Sequence, residues 1–517
     1  MEDPTHATAT ETSRRATAHH AGGVAAEANN DGAPLAWSRL TGWRTSEIAL
    51  VVANDGSLVL QPVFDETGSP IGVIRSTDQG QTWSFILPSD PDNPPRKFGL
   101  DQDMIVDRTT GRIFWVSPGY DESLSFMLPP TVSRLDLSDD HGQTWFKSSG
   151  PPLGVPDPAT GQPSRDHPQL FTGPPPAEFR ERLRGYPNVV YLCQGNAPQL
   201  VGRSLDGGMT FDPPVPLPFP PEIPGPRYPI PPDEVYNTNF GLRGVVDEQG
   251  TVYLPNTPGN RPYVAISHDA GETWTLALVA ETLTHGFGML SAGLDAESNL
   301  YVCWVDAADR LPYLSISRDR GQHWSVPQMV GAPGVVETAL PSLVAGERGQ
   351  VAVTYYGSPN SPGRPFPPPA GDLTTTGSPD WADVTWNTYV TETFDALSDR
   401  SVFWSAPLND PAHPTWYGAS PSAERTITMQ GSPWGPPPGG ATMGSQPMGG
   451  FEPPQFAGHV DYYGINMAPD GTPWVGFYQA CVNGMPVPGN PNTELAAGRP
   501  TDALFAMVGR LARPALG

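Results

Sequence analysis

Ionisable and polar side chains recur at one kind of position in this sequence, directly before the short apolar runs that begin its repeats. They are Asp103, Arg165, Asp166, His167, Asn239, Arg243, His285, Glu337, His459, Asp461 and Tyr462, and the apolar Phe287 occurs among them. The carboxyl groups can serve as acid and base, whereas the imidazoles and the phenol can shuttle protons near neutral pH. An arginine can hold a ligand carboxylate through paired hydrogen bonds. The pattern predicts one ligand site to which many repeats contribute.

Two other interpretations of these positions stay open. His167, His285 and His459 fall at matching places of their repeats and, with Glu337, could hold a divalent metal ion. Alternatively, these residues are only the solvated mouth of a channel. No cofactor is predicted, because the sequence contains no P-loop, dinucleotide fingerprint, H-E-x-x-H motif or EF-hand loop.

A motif, S-x-D-x-G-x-T-W, occurs five times and indicates the repeated units that position these residues. Its copies are 76–83, 138–145, 204–211, 267–274 and 317–324, with aspartates Asp78, Asp140, Asp206, Asp269 and Asp319. The pattern predicts a tight turn in which the carboxylate accepts backbone hydrogen bonds and Gly supplies a positive φ. Repeats of roughly 50–65 residues indicate a stacked or circular array of one unit. We therefore assign these aspartates a structural role.

The motif resembles the Asp box, or bacterial neuraminidase repeat, of the sialidase-like β-propellers. Residues 166–170 (DHPQL) are similar to the D-[RH]-P-x-L start of their blades, and residues 458–464 (GHVDYYG) to their G-D-Y-x-G turn. The resemblance spans roughly residues 35–512. It implies an all-β propeller of four-stranded antiparallel blades whose boxes face away from the active site. Counting the repeats gives seven blades, with six as the alternative.

The resemblance also implies action on glycans at the hub of the ring, by an exo-glycosidase or a polysaccharide-degrading enzyme. Asp103, Asp166, Glu337 and Asp461 then compete for the acid and base or nucleophile roles of glycoside hydrolysis, whereas Arg165 and Arg243 hold an acidic sugar. Asn239 and Phe287 are further sugar contacts. The F/Y-R-I-P motif of catalytic sialidases is absent; Arg44 and Arg227 are its nearest analogues. A non-catalytic propeller that binds glycan or protein, and a metal-dependent enzyme, are the alternatives.

Composition limits the partners and the domain organisation. A net charge of −25 argues against nucleic acid and anionic membranes, and 65 Pro with 56 Gly among 517 residues favour an all-β chain with long loops. No apolar run has the length of a transmembrane helix. We expect a monomer. Because no signal peptide is visible, secretion and a cytoplasmic location both stay open.

The expected organisation is a disordered leader over residues 1–33, followed by one domain over 34–517. Pro/Gly-rich insertions interrupt it at about 357–383, 409–454 and 482–501. Leu35–Leu40 could supply a missing outer strand and close the ring. Cys193 and Cys303 lie in apolar strand runs, which predicts buried free thiols.

Overall fold

Seven antiparallel sheets make up the computed structural model of this protein. The structure describes residues 11–27, 33–44, 48–62, 72–88, 102–119, 132–148, 168–194, 199–223, 243–285, 289–361, 384–411, 414–417, 464–480 and 504–512. Each sheet is built on four strands arranged from the centre of the molecule outwards, and two of the sheets carry additional strands. The fold is therefore a seven-bladed propeller. The predicted fold class and the count of seven blades are confirmed, and the alternative of six is wrong.

The first four blades follow the chain in order, innermost strand first. Blade 1 is Ile48–Val52, Leu58–Pro62, Val73–Ser76 and Ser84–Ile86. Blade 2 is Asp103–Val106, Ile113–Gly119, Val132–Ser138 and Phe146–Lys147. Blade 3 is Pro168–Gly173, Val189–Gln194, Leu200–Ser204 and Val215–Pro216. Blade 4 is Val245–Val246, Val252–Asn256, Tyr263–Ser267 and Thr275–Leu278.

The remaining three blades include two with additional strands. Blade 5 is Ser291–Leu294, Leu300–Val305, Pro312–Ser317 and Gln328–Met329. Blade 6 is Glu337–Ala345, Val351–Ser358, Thr385–Thr393 and Phe403–Pro407, and Trp416–Tyr417 pairs with its third strand. Blade 7 is Gly464–Met467, Pro473–Ala480, Leu504–Ala512 and Leu35–Arg44.

Apolar residues occupy both faces of the second strands because each blade packs between two neighbours. All six residues of Leu300–Val305 are buried. Between blades 1 and 2, Trp115 packs with Val51 and Val59 and meets Trp145 edge-on, with ring centroids 5.8 Å apart. The core is thus a series of apolar layers between blades, and the ring is held together by side-chain packing.

The box turns have a common hydrogen-bond pattern, seen at Asp269. This carboxylate accepts bonds from Ser267 Oγ at 2.8 Å, Thr273 N at 2.8 Å and Thr273 Oγ1 at 2.5 Å. Desolvation acts against ionisation, but the bonds from Thr273 and Ser267 outweigh it and lower the pKa of Asp269. In the fifth box, His323 Nδ1 replaces the Thr hydroxyl at 2.6 Å from Asp319.

The glycines of the box turns lie against the preceding blade. Gly142 and Gly208 have φ values of +85° and +88°, which favour glycine. A Cβ on Gly142 would meet Val59 of blade 1 at 2.9 Å, and one on Gly208 would meet Phe114 of blade 2 at 2.9 Å. Each box therefore shapes its own turn and also fits the seam between two blades.

Blade 6 lacks the box motif but keeps part of its bonding. Thr393 Oγ1 donates to Asp395 Oδ1 at 2.7 Å, and Val402 N donates to the same oxygen at 3.0 Å. Ser398 Oγ reaches Asp395 Oδ2 only at 3.4 Å. This turn is a weaker form of the box.

Blade 7 closes the ring with strands that are distant in sequence. Leu35–Arg44 pairs antiparallel with Leu504–Ala512, and Ser38 lies opposite Gly509. The expectation that Leu35–Leu40 supplies the missing outer strand is confirmed, and the strand continues to Arg44.

Residues 11–27 contradict the expected disordered leader over 1–33. Glu11–Arg15 pairs with blade 7, Thr17–His20 pairs with Phe403–Ser405 of blade 6, and Val24–Ala25 adds a further short strand. The open strand edges of blades 6 and 7 supply backbone partners that an Ala/Thr-rich segment can satisfy without a large apolar face of its own. We call residues 11–27 the strap.

Helix is confined to short 3-10 turns in the described part of the chain, at Ala21–Gly23, Ala177–Arg182 and Pro258–Asn260. None of these described helices could cross a bilayer. Cys193 and Cys303 are buried free thiols, as predicted. The three predicted insertions and Cys481 lie largely outside the described residues.

Candidate functional site

A cavity of about 390 Å³ occupies the centre of the ring, where the first strands of all seven blades meet. Most of its lining residues are apolar residues or glycine. The charged residues in its described lining are Asp103, Arg108 and Arg243. Because the chain as a whole carries a net charge of −25, a cavity with two arginines and one aspartate is locally unlike the rest of the protein.

The strand register places this site and the box turns at opposite ends of a blade. In blade 2, Asp103 pairs with Val116 at one end of the first strand. At the other end, Val106 pairs with Ile113, which in turn pairs with Ser138 at the start of the box. Asp103 and the box are thus separated by the length of the strand. We call the end that contains Asp103 the hub face.

Asp103 is a buried carboxylate that connects three blades. Its Oδ1 accepts hydrogen bonds from Arg243 Nε at 2.8 Å and Met104 N at 2.9 Å, and its Oδ2 accepts one from Leu170 N at 2.7 Å. Arg243 Nη2 also donates to Asp103 and, at 2.9 Å, to the Met104 carbonyl. Both carboxylate oxygens are engaged by protein donors. This geometry makes Asp103 a positioning residue for Arg243.

Three donor groups around the same end of the cavity lack an acceptor among the described residues. Gln102 and Gln169 are at least nine-tenths buried, and the Nε2 of each has no hydrogen-bond partner. The Gln102 Oε1 is fixed by Trp115 Nε1 at 2.7 Å. All hydrogen bonds of Arg243 use Nε and Nη2, which leaves Nη1 available. A buried donor without an acceptor costs about 1–3 kcal/mol, so an oxygen-rich ligand would recover that free energy.

Arg108 closes the opposite end of the cavity. Its Nη1 donates to Val52 O at 2.8 Å and Asn54 Oδ1 at 3.2 Å, and its Nη2 donates to Asn466 Oδ1 at 2.8 Å. All these acceptors are neutral, and desolvation lowers the pKa of Arg108 to about 10. Arg108 joins blades 1, 2 and 7 and leaves its positive charge at the floor of the cavity.

A second polar cluster lies between blades 5 and 6 on the hub face. Glu337 opens the first strand of blade 6, and its Oε1 lies 3.8 Å from His285 Nε2. The Ser361 hydroxyl donates to Glu337 Oε2. Both members of the carboxylate–imidazole pair are buried. The Ser361 hydroxyl is hydrogen-bonded to Glu337, whereas the 3.8 Å between the imidazole and the carboxyl group is longer than a hydrogen bond, so proton transfer between these two would need a closer approach. The cluster lies outside the described lining of the cavity.

The other predicted site residues lie outside the described residues. They are Arg165, Asp166, His167, Asn239, Phe287, His459, Asp461 and Tyr462. Within the described ranges, no group of three or more His, Cys, Asp or Glu side chains is arranged to hold a metal ion. Of the three histidines considered for a metal, the structure describes His285 alone.

Sequence analysis did not identify Gln102, Gln169 and Arg108. An uncharged amide gives no titration or charge signal, and Arg108 follows its strand instead of preceding it. The available signal was a glutamine at or directly before the first strand in each of two consecutive repeats (DQDMIV and HPQLF).

Neither a protein-family model nor a curated protein sequence matches this chain. Among solved structures, a Dyadobacter fermentans protein of unknown function is 14% identical, with a TM-score of 0.39 over 68% of this chain and 96% of its own. A Hadza microbial sialidase is 21% identical (TM-score 0.36, 60% and 64%), and a mutant of the NanB sialidase from Streptococcus pneumoniae is 12% identical (0.38, 90% and 68%). Sialidases are among the solved structures that match this chain.

Proposed function

We propose that this propeller binds an acidic glycan through the central cavity at its hub face. The observation that carries the proposal is the set of donors on Gln102, Gln169 and Arg243 that lack an acceptor among the described residues. A sugar with a carboxylate offers many oxygen acceptors together with one negative charge. The cavity volume of about 390 Å³ falls within the ~300–1,000 Å³ of small-molecule sites.

Arg243 is the residue proposed to meet the carboxylate. Asp103 holds the guanidinium through Nε and Nη2, and this fixes the direction of Nη1. A charge-assisted hydrogen bond from an oriented guanidinium is stronger than one between neutral groups. Arg165, Asn239 and Phe287 are retained as further proposed sugar contacts.

Hydrolysis of a glycosidic bond is the proposed reaction, as in an exo-glycosidase or a polysaccharide-degrading enzyme. It needs an acid and a base or nucleophile on the two sides of the bond. Because both Asp103 oxygens accept protein hydrogen bonds, Glu337 with His285 is the better described pair for proton transfer. Asp166 and Asp461 remain proposed for the second carboxyl role, and His167, His459 and Tyr462 for proton shuttling.

A non-catalytic glycan-binding propeller is the second candidate. It is favoured by the engagement of Asp103, which removes one carboxylate from the catalytic set without affecting the donors that would hold a sugar. Binding and turnover therefore have to be measured separately.

Binding is tested by calorimetric titration of sialic acid and glucuronic acid, with glucose as the neutral comparison. We expect both acids to bind at least about tenfold more tightly than glucose, since the hydrogen bond of Arg243 to a carboxylate is worth about 1.5–3 kcal/mol. Gln169→Met removes a hydrogen bond between neutral groups, worth about 0.5–1.5 kcal/mol, and should weaken acid binding by roughly two- to tenfold. Gln199→Met is the matched control, because Gln199 is equally buried in blade 3 but does not line the cavity. Equal affinities of the wild type and Gln169→Met would contradict the proposed site.

Turnover is tested with 4-methylumbelliferyl sialic acid and a panel of acidic polysaccharides. In an enzyme, Glu337→Gln and Asp461→Asn should each lower kcat at least roughly a hundredfold, the size expected for general acid–base catalysis, while acid binding persists. Acid binding without turnover of any of these substrates would favour the second candidate.

A further inference from the structure

His19 is a fully buried histidine in the strap, and its environment contains no carboxylate partner. The imidazole stacks on Phe403 of blade 6, with ring centroids 5.8 Å apart and planes inclined by 26°. Its Nδ1 lies 3.1 Å from the His20 carbonyl and its Nε2 lies 2.7 Å from Ser405 Oγ. Since a carbonyl can only accept, Nδ1 must carry the proton and Nε2 must accept from Ser405.

The bond to Ser405 is the end of a chain of buried hydrogen bonds. Ser405 Oγ lies 2.6 Å from Thr391 Oγ1, which lies 3.0 Å from the Tyr355 hydroxyl. Ala332 N donates to the Tyr355 oxygen at 2.7 Å. When the Ala332 amide donates to Tyr355, each hydroxyl can donate to the next group along the chain: Tyr355 to Thr391, Thr391 to Ser405 and Ser405 to His19 Nε2. With this one orientation every donor in the chain has an acceptor.

A second proton on His19 cannot be accommodated by this chain. A protonated Nε2 must donate to Ser405, and Ser405 must then donate to Thr391 and Thr391 to Tyr355. Tyr355 would accept from both Thr391 and the Ala332 amide, so its own hydroxyl hydrogen would lose its place in the chain. A donor left without an acceptor in a buried site costs about 1–3 kcal/mol, in addition to the cost of burying a cation.

We infer that the strap is a proton-sensitive latch that docks on blade 6 only while His19 is neutral. The side chains with which His19 interacts on blade 6 are uncharged: Phe403 and Ser405, both on the fourth strand. Behind Ser405 the chain continues through the uncharged Thr391 on the third strand and Tyr355 on the second. The titratable neighbour on its own strand is His20, whose Nδ1 contacts the Ser401 carbonyl at 3.0 Å.

The direction of the pH dependence follows from the burial of His19. Desolvation lowers its pKa below the ordinary 6.5. The undocked strap therefore binds more protons than the docked one at mildly acidic pH. Docking is at full strength above about pH 6.5 and weakens as the pH falls through the lowered pKa. Release would uncover the outer strand edges of blades 6 and 7. It would also break the hydrogen-bond chain that runs from His19 to the amide of Ala332, a residue that lies five positions before Glu337 in the sequence.

Hydrogen exchange of the full chain tests the latch, with protection expressed relative to the intrinsic exchange rate at each pH. Between pH 7.5 and 4.5, we expect protection of the amides of residues 17–25 to fall at least tenfold more than that of the second strand of blade 4. His19→Gln places an uncharged acceptor near Ser405 and should show no such fall. His20→Gln is the matched control and should behave as wild type. Equal pH dependence in wild type and His19→Gln would overturn the latch.

A direct titration covers the case in which His19→Gln fails to dock at any pH. NMR of the wild-type imidazole resonances, assigned by comparison with His19→Gln and His20→Gln, gives the pKa of His19. A value below 6.5 supports the latch, and a value at or above 6.5 overturns it.

Discussion

Blades 1 to 5 and blades 6 and 7 are secured in different ways. Each of the first five carries a box turn, an eight-residue segment whose aspartate acts within one hairpin and whose glycine lies against the preceding blade. Blades 6 and 7 depend on segments from far along the chain: the strap covers both outer edges, and Leu35–Arg44 completes the ring. A propeller can therefore be stabilised by repeated local turns or by a few non-local strands. This chain has the local turns in blades 1 to 5 and the non-local strands in blades 6 and 7.

Among changes to these two regions, removal of the strap should lower the free energy of unfolding the most. A chain beginning at residue 28 loses the pairing on blades 6 and 7 and the buried His19, so we expect a loss of roughly 3–5 kcal/mol in the free energy of unfolding, at about 1 kcal/mol for each lost hydrogen bond. Urea denaturation measures it. Removal of residues 1–10 alone keeps the strap and is the control. A loss of the same size in both truncations would show that the strap contributes nothing.

A smaller effect is expected from the box aspartates. Asp269→Asn replaces one carboxylate oxygen by an amide nitrogen, which cannot accept one of the two Thr273 bonds, and should cost about 1–2 kcal/mol. Asp395→Asn, in the weaker turn of blade 6, should cost less, because its Oδ2 receives only the 3.4 Å contact from Ser398. Thermal unfolding of the two variants gives the comparison. The contrast between the two regions fails if Asp395→Asn is the more damaging change.

The smallest effect is expected from His323→Thr, which restores the motif of the other boxes. Thr can donate to Asp319 as Thr273 does to Asp269, so stability at pH 7 should change by less than about 0.5 kcal/mol. Hydrogen bonds from His323 lower the pKa of Asp319 to about 2. The contribution of this carboxylate is therefore complete above its ordinary pKa of 3.8 and is lost as the pH falls towards 2. Acid unfolding that begins at a clearly lower pH in the variant would contradict this.

The fold was predictable because its information is local and repeated. A box motif such as Ser267–Trp274 specifies a turn from eight consecutive residues, and the short apolar runs around it form strands. The strap was missed for the opposite reason. An Ala/Thr-rich segment has no apolar periodicity, and its structure comes from the backbone groups of other strands, of which Phe403–Ser405 lies hundreds of residues away. Only the three-dimensional structure shows that His19 enters a buried hydrogen-bond chain.

The candidate site was predicted in part. The positions of Asp103 and Arg243 at the start of first strands indicated that both approach the hub, but not that they pair. Side-chain pairing between blades depends on the angle between blades, which no single repeat encodes. Gln102 and Gln169 carry no charge and were missed, although their amides are donors that line the cavity and lack an acceptor among the described residues.

Ring closure between residues 35–44 and 504–512 has a consequence for synthesis on the ribosome. The strand Leu35–Arg44 emerges early, and its partner Leu504–Ala512 follows only after hundreds of further residues. At typical elongation rates of about 5–20 residues per second, it waits tens of seconds with one edge unpaired. The other edge can be occupied almost at once, because Glu11–Arg15 is already available and pairs with Leu35–Arg39. The nascent chain thus carries a protective hairpin of its own while the rest of the ring is being made.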